Sequence, residues 1–174
     1  MVRILYRTQQ FWNVLSANPL EDEVIEQIQA VLSKREMDLF LQLQTSEQRH
    51  SYQVYRSLLE RGIQNDDLLK AALMHDIGKV RHPLRMFDRV LIVLGKSLFP
   101  RVVDRWGHEN HSNWRRIFSV AVHHPAWGAE MAAQAGSSPR TVDLIRRHQD
   151  MQGNLAADDK DLLLSHLQSA DDNL

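Results

Sequence analysis

Apolar residues recur along this chain at three- and four-residue steps. Nowhere do they alternate with period two between turn signals, so the pattern predicts helices and no strands. Residues 2–16 carry Ile4, Leu5, Phe11, Trp12 and Leu15 at helical spacing. Asn18-Pro19 reads as an N-cap followed by a proline in the first helical position, opening a helix through Val24, Ile25, Ile28 and Val31. A short helix holds Met37, Leu39, Phe40 and Leu43. Thr45-Ser46-Glu47-Gln48 has the form of a capping box and starts a helix that runs to Arg61, with Gly62 as its stop. Asn65 caps the next helix, where Leu68, Ala71, Ala72 and His75 share one stripe.

Residues 85–106 form a strongly apolar helix, with Phe87, Val90, Leu91, Val93, Leu94, Leu98 and Phe99, interrupted near Gly95 and Pro100. Gly107 to Asn113 is polar and reads as a loop. Trp114 to His124 is helical, and Pro125 is placed to begin a further helix carrying Met131 and Ala132. Gly136-Ser137-Ser138-Pro139 is a stop, an N-cap and a first-turn proline, opening a helix with Val142, Leu144, Ile145 and His148. Met151 to Asp159 is a polar loop, and a last helix runs from about Lys160 to Asp171. The fold class is all-α, and 174 residues without repeats or linkers make one domain, 1–174.

Composition narrows the function. Hydrophobic residues at 43% and charged residues at 25% are globular values, so a core forms without staples. A net charge of −1 gives no global electrostatic case for specific nucleic-acid binding. There is no Cys, which excludes disulfides, thiolate metal sites and Cys nucleophiles. The first residues lack a signal-peptide plan and no apolar run reaches bilayer length, so a cytoplasmic protein is expected, peripheral to the membrane at most. From Lys79 to Trp106, seven basic residues stand against two Asp, a local charge of +5. Residues 85–106 are therefore read as core or a dimer face, with a membrane-surface helix as the alternative.

Nine His is a high count, and their placement changes the picture. His50, Val54 and Leu58 lie on one helix face, and His75 lies on the apolar face of the next helix. Helices joined by a short loop pack antiparallel, which brings His50 and His75 to the same level. His75 is followed directly by Asp76, and His124, His148 and an Asp171-Asp172 pair follow on later helices. A single His on an apolar face is usually a hydrogen-bonded core residue. Burying several without a shared purpose is costly, because each carries a polar nitrogen that must be satisfied. Neutral imidazoles and ionised carboxylates that converge make a site for a divalent metal.

His75-Asp76-Ile77-Gly78-Lys79, with His50 before it and a late Asp after it, resembles the HD superfamily of metal-dependent phosphohydrolases. His124-Pro125-Ala126-Trp127-Gly128-Ala129 resembles the His-Pro-x-x-Gly-Ala segment of its two-metal members, among them the HD-GYP phosphodiesterases and diadenosine tetraphosphate hydrolases. Leu144-Ile145-Arg146-Arg147-His148 resembles the helix that supplies their next His. The resemblance implies an HD helical bundle over about 45–172, an N-terminal helical extension over 1–44 and an apolar helical insertion.

It also implies metal ligands at His50, His75, Asp76, His124, His148 and Asp171, with Asp76 bridging two divalent ions. Asp171 is preferred to Asp172 because it follows Ala170, as in the family's Ala-Asp. Gln149 stands where HD-GYP proteins have a second His, and no Gly-Tyr-Pro follows, so cyclic di-GMP is disfavoured. The implied activity is hydrolysis of a nucleotide or other small phosphoester by metal-activated water. Asp76 and Lys79 are its catalytic candidates, and Lys79, Arg146 and Arg147 its phosphate-binding candidates. The alternative is a non-catalytic HD-fold module that senses a nucleotide or binds a protein. An all-His/Asp site suits Fe, Mn, Co, Ni or Zn. His123 is read as a neighbour of the site or a surface residue, and His82, His108, His111 and His166 have no assigned partners.

Overall fold

Helix signals in the chain translate into nine α-helices and one 3-10 turn among the residues described by this computed structural model, 18–108, 114–150 and 161–173. They are α1 (Asp22–Val31), α2 (Lys34–Phe40), α3 (Thr45–Glu60), α4 (Asp66–Met74), the 3-10 turn Ile77–Arg81, α5 (Met86–Leu98), α6 (Pro100–His108), α7 (Arg116–Ala135), α8 (Pro139–Arg147) and α9 (Leu162–Asp172). No strand occurs among the described residues, so the chain is all-α. The helix expected over 2–16 and the loop expected over 151–159 lie outside them.

Most stop and start signals act as read. Gly62 and Gly136 end α3 and α7 with positive φ, at 75° and 94°. Asn65 accepts from the Leu68 amide and Ser138 from the Thr141 amide, each satisfying a free N–H of a first turn. Others move. α1 starts at Asp22 rather than at Pro19, because Arg49 holds the Asn18 carbonyl and Asp22 and Glu23 supply the first-turn negative charge. The N-cap of α3 is Gln44 rather than Thr45, and the Glu47 carboxylate accepts from the Gln44 amide.

Pro125 does not start a helix. It lies buried inside the continuous α7, although an interior proline removes a ladder bond and costs about 3 kcal/mol in an isolated helix. Packing on both sides of it overrides that cost. Phe118, Val120 and Ala121 belong to a small apolar cluster with Leu84, Ile92, Val103 and Ile117, while Ala129 and Ala132 belong to the main core. Gly95 and Gly107 do not interrupt their helices either: they let α5 and α6 approach Val103, Phe118 and Val122 where a Cβ would collide. The break between α5 and α6 falls at Phe99-Pro100.

The main core is built from α1–α4, the 3-10 turn, the later turns of α7, α8 and α9, with Phe40, Leu58, Leu73, Ile77, Leu144, Ile145 and Leu167 fully buried. Its tightest joint is between the 3-10 turn and α7. A Cβ on Gly78 would lie 2.0 Å from the His124 carbonyl oxygen and 2.7 Å from the Gly128 nitrogen. Glycine at 78 is therefore required for backbone approach rather than for flexibility. Gly78→Ala is expected to destabilise the fold by about 3 kcal/mol or more, read from urea unfolding. Gly62→Ala, which meets open space but positive φ, should cost only about 1 kcal/mol.

Candidate metal centre

Six elements each deliver one polar group to the same place. His50 comes from the first turns of α3, and His75 is the residue that ends α4. Asp76 opens the 3-10 turn, His124 lies mid-way along α7, His148 ends α8, and Asp171 sits in the last turn of α9. The rings of His50 and His75 are 5.4 Å apart, those of His75 and His148 5.1 Å, and those of His124 and His148 5.3 Å. The residues form two groups, His50-His75-Asp171 and Asp76-His124-His148, and within each the candidate ligand atoms lie within 4.8 Å of one another. The structure brings Asp171 into the cluster and leaves Asp172 exposed.

The hydrogen bonds orient three of these rings in one way. His75 Nδ1 donates to the Ala72 carbonyl at 2.9 Å, His124 Nδ1 to Val120 at 2.9 Å and His148 Nδ1 to Ile145 at 2.7 Å. A ring that donates from Nδ1 and is neutral carries a bare lone pair on Nε2. All three Nε2 atoms are buried and lack a hydrogen-bond partner. His124 Nε2 instead faces Asp76 Oδ1 at 3.3 Å, and His75 Nε2 faces Asp76 Oδ2 at 3.6 Å and Asp171 Oδ1 at 3.7 Å. Lone pairs turned toward carboxylate oxygens repel unless a cation stands among them. This is the arrangement of metal-ligating imidazoles, whose second nitrogen is fixed by a backbone carbonyl. The donor set therefore fits divalent metal ions.

Electrostatics point the same way. Burial favours the neutral His148 imidazole and, with His75 and His124 nearby, pushes it down to about 3. Burial also lowers His124, aided by the Lys79 charge and against the pull of Asp76. For Asp76 burial works the other way, but the Lys79 ammonium, His75 and His124 outweigh it and hold the carboxyl well below its usual range. Asp171 is likewise lowered despite its burial, by His75 and by a 2.7 Å bond with His50 Nε2. The cluster thus holds the ionised carboxylates of Asp76 and Asp171 beside the neutral imidazoles of His124 and His148, the protonation states that metal binding requires.

The family model described as HD domain matches residues 48–172. The chain belongs to the HD domain family. No curated protein and no solved structure matches it. HD domains are all-α and are commonly metal-dependent hydrolases. The matched span begins just before His50 and ends just after Asp171, so it contains every residue of the cluster.

Around this HD-domain centre the remaining candidates divide. Lys79 is present, with Nζ 2.5 Å from Asp76 Oδ2. Arg147 is committed elsewhere: it bonds Asp143 at 3.0 Å and Asp161 at 3.2 Å, which ties α8 to the start of α9. Arg146 is exposed. Neither arginine shows a polar contact with the cluster among the described residues. His123 and His82 both pack their rings on Trp127, 5.8 Å and 5.5 Å away, and His166 is exposed.

Gln168 was not singled out from the sequence. Its amide donates to the Arg147 and Asp150 carbonyls and so pins the turn that carries His148. The signal was its position three residues before Asp171, on the same face of α9.

His148 is neutral in the folded chain down to about pH 3 but titrates near 6.5 when unfolded. Its depressed value means that stability is complete above pH 6.5 and is lost as pH falls, by up to ~1.4 kcal/mol per unit from this group. Between pH 6.5 and 5 the carboxylates stay ionised, so that window isolates the imidazoles. The metal-free protein should show a lower urea midpoint at pH 5 than at pH 6.5, and His148→Leu should flatten the slope.

Proposed function

We propose that this chain is a metal-dependent phosphohydrolase that cleaves a nucleotide or another small phosphoester. The observation that carries the proposal is the trio of buried, unpartnered Nε2 atoms on His75, His124 and His148, gathered with the ionised Asp76 and Asp171. Cations bound there supply Lewis acidity, making a water nucleophilic near neutral pH and offsetting charge on phosphoryl oxygens.

The side chains divide the work. Asp76 presents Oδ2 toward His75 and Oδ1 toward His124, so one carboxylate faces both groups. That geometry supports a two-ion site with Asp76 between the ions. His50 and Asp171 complete the first group and His148 the second. The absence of Cys leaves a hard to borderline donor set, compatible with Fe, Mn, Co, Ni or Zn. Lys79 is partly exposed while its ammonium touches Asp76. It keeps the carboxylate ionised and places a positive charge at the edge of the site, where a phosphoryl oxygen would be bound. Burial of His124 and His148 excludes water from their nitrogens and keeps them unprotonated as ligands.

Protein stripped with a chelator and reloaded with Mn²⁺, Co²⁺ or Fe²⁺ should hydrolyse some members of a phosphomonoester, phosphodiester and nucleotide panel. His75→Ala with Asp76→Ala should lose both bound metal and activity, with folding checked by circular dichroism. Normal turnover by that double variant would refute the assignment, and metal binding without hydrolysis of any phosphoester would favour a sensing module. A separate outcome is expected for Lys79→Met: full metal content, with kcat/KM down about 10- to 100-fold.

A further inference from the structure

The segment between the Lys79 turn and α7 presents an apolar surface that neither core uses. Phe87, Leu91, Leu94 and Leu98 follow one another at helical steps of four, three and four residues, a line about 16 Å long on α5. Phe87 is 81% exposed, Leu98 66% and Phe99 63%, and Leu91, Leu94 and Val102 are also exposed. The fold does not need this line. α5 makes its inward contacts through Ile92 and Gly95, which meet Val103 and Phe118. Large apolar side chains gathered on one exposed stripe mark a binding surface.

Charge decides what fits it. Residues 85–106 carry +3, leaving −4 for the rest of a chain whose total is −1. On α6, Arg101 and Arg105 stand one turn apart beside the exposed Val102, and both are exposed. A second copy docking through the same stripe would set +3 against +3, because a two-fold interface pairs a patch with itself. An anionic surface gains from the basic segment and is repelled by the remainder, which also orients the molecule. No helix of the described residues is long and apolar enough to cross a membrane, so the stripe lies along a surface rather than spanning it.

We propose that α5, α6 and their junction dock this protein on an anionic lipid bilayer, with Phe87, Leu91, Leu94, Leu98 and Phe99 entering the headgroup boundary and Arg101 and Arg105 facing lipid phosphates. The inference is independent of the catalytic reading, since it uses none of the metal-centre residues.

The test is co-sedimentation of the full chain with vesicles of phosphatidylcholine, with and without phosphatidylglycerol. The protein should pellet with the anionic vesicles at about 50 mM salt and bind at least roughly tenfold more weakly at about 500 mM. Leu91→Glu with Leu98→Glu, both at exposed positions, should weaken binding at least roughly tenfold with unchanged circular dichroism and metal content. Three results would overturn the proposal. One is a protein that stays in solution with anionic vesicles at low salt, as when residues 1–17 cover the stripe. Another is equal binding by the double variant. The third is sedimentation showing a dimer that this variant turns into a monomer, which would make the stripe a contact between copies.

Discussion

Everything in this molecule hangs on how closely two pieces of backbone come together. At Gly78 the turn that follows α4 lies against the His124 carbonyl and the Gly128 nitrogen of α7, with no room for a Cβ. Two residues earlier in the turn is Asp76, and at the other side of the contact is His124, so the closeness of the backbones sets the 3.3 Å between their side chains. A wider joint would leave His124 out of reach of Asp76. The same joint holds Pro125 inside α7, because the helix is gripped on both sides of it.

That joint concentrates polar groups where a core would otherwise be dry. Each buried imidazole has one nitrogen satisfied by the backbone and one left over. A buried, unpaired polar atom costs on the order of 1–3 kcal/mol, so three of them are a standing liability in the metal-free chain. Stability alone would select apolar residues at 75, 124 and 148, which are buried like Ile77, Leu144 and Ile145. Where good packing is given up at several adjoining positions, the explanation is sought in function.

Element type was legible from spacing, because helical stripes such as Leu68, Ala71, Ala72 and His75 have no strand reading. Meeting of the six His and Asp side chains was legible too, from the antiparallel packing of short-linked helices and from the HD resemblance. What escaped was whatever depends on partners far away in sequence. Local rules make Pro125 a helix start and Gly95 and Gly107 breaks. The structure overrides all three, since the contacts that decide them come from Gly78, Val103, Phe118 and Val122. Arg147 escaped for the same reason: its neighbours in sequence suggest a phosphate ligand, while Asp161, fourteen residues on, takes its guanidinium.

α7 connects the two halves of the molecule. Its first turns pack through Phe118, Val120 and Ala121 against α5 and α6, and its later turns pack through Ala129 and Ala132 into the main core. His124 lies between, on the same continuous helix. The small apolar cluster is therefore not a loosely tethered appendage: its orientation is passed along one rigid element to a ligand of the metal centre. Whatever fixes the outer face of α5 and α6 in space also fixes the direction in which the His/Asp cluster opens.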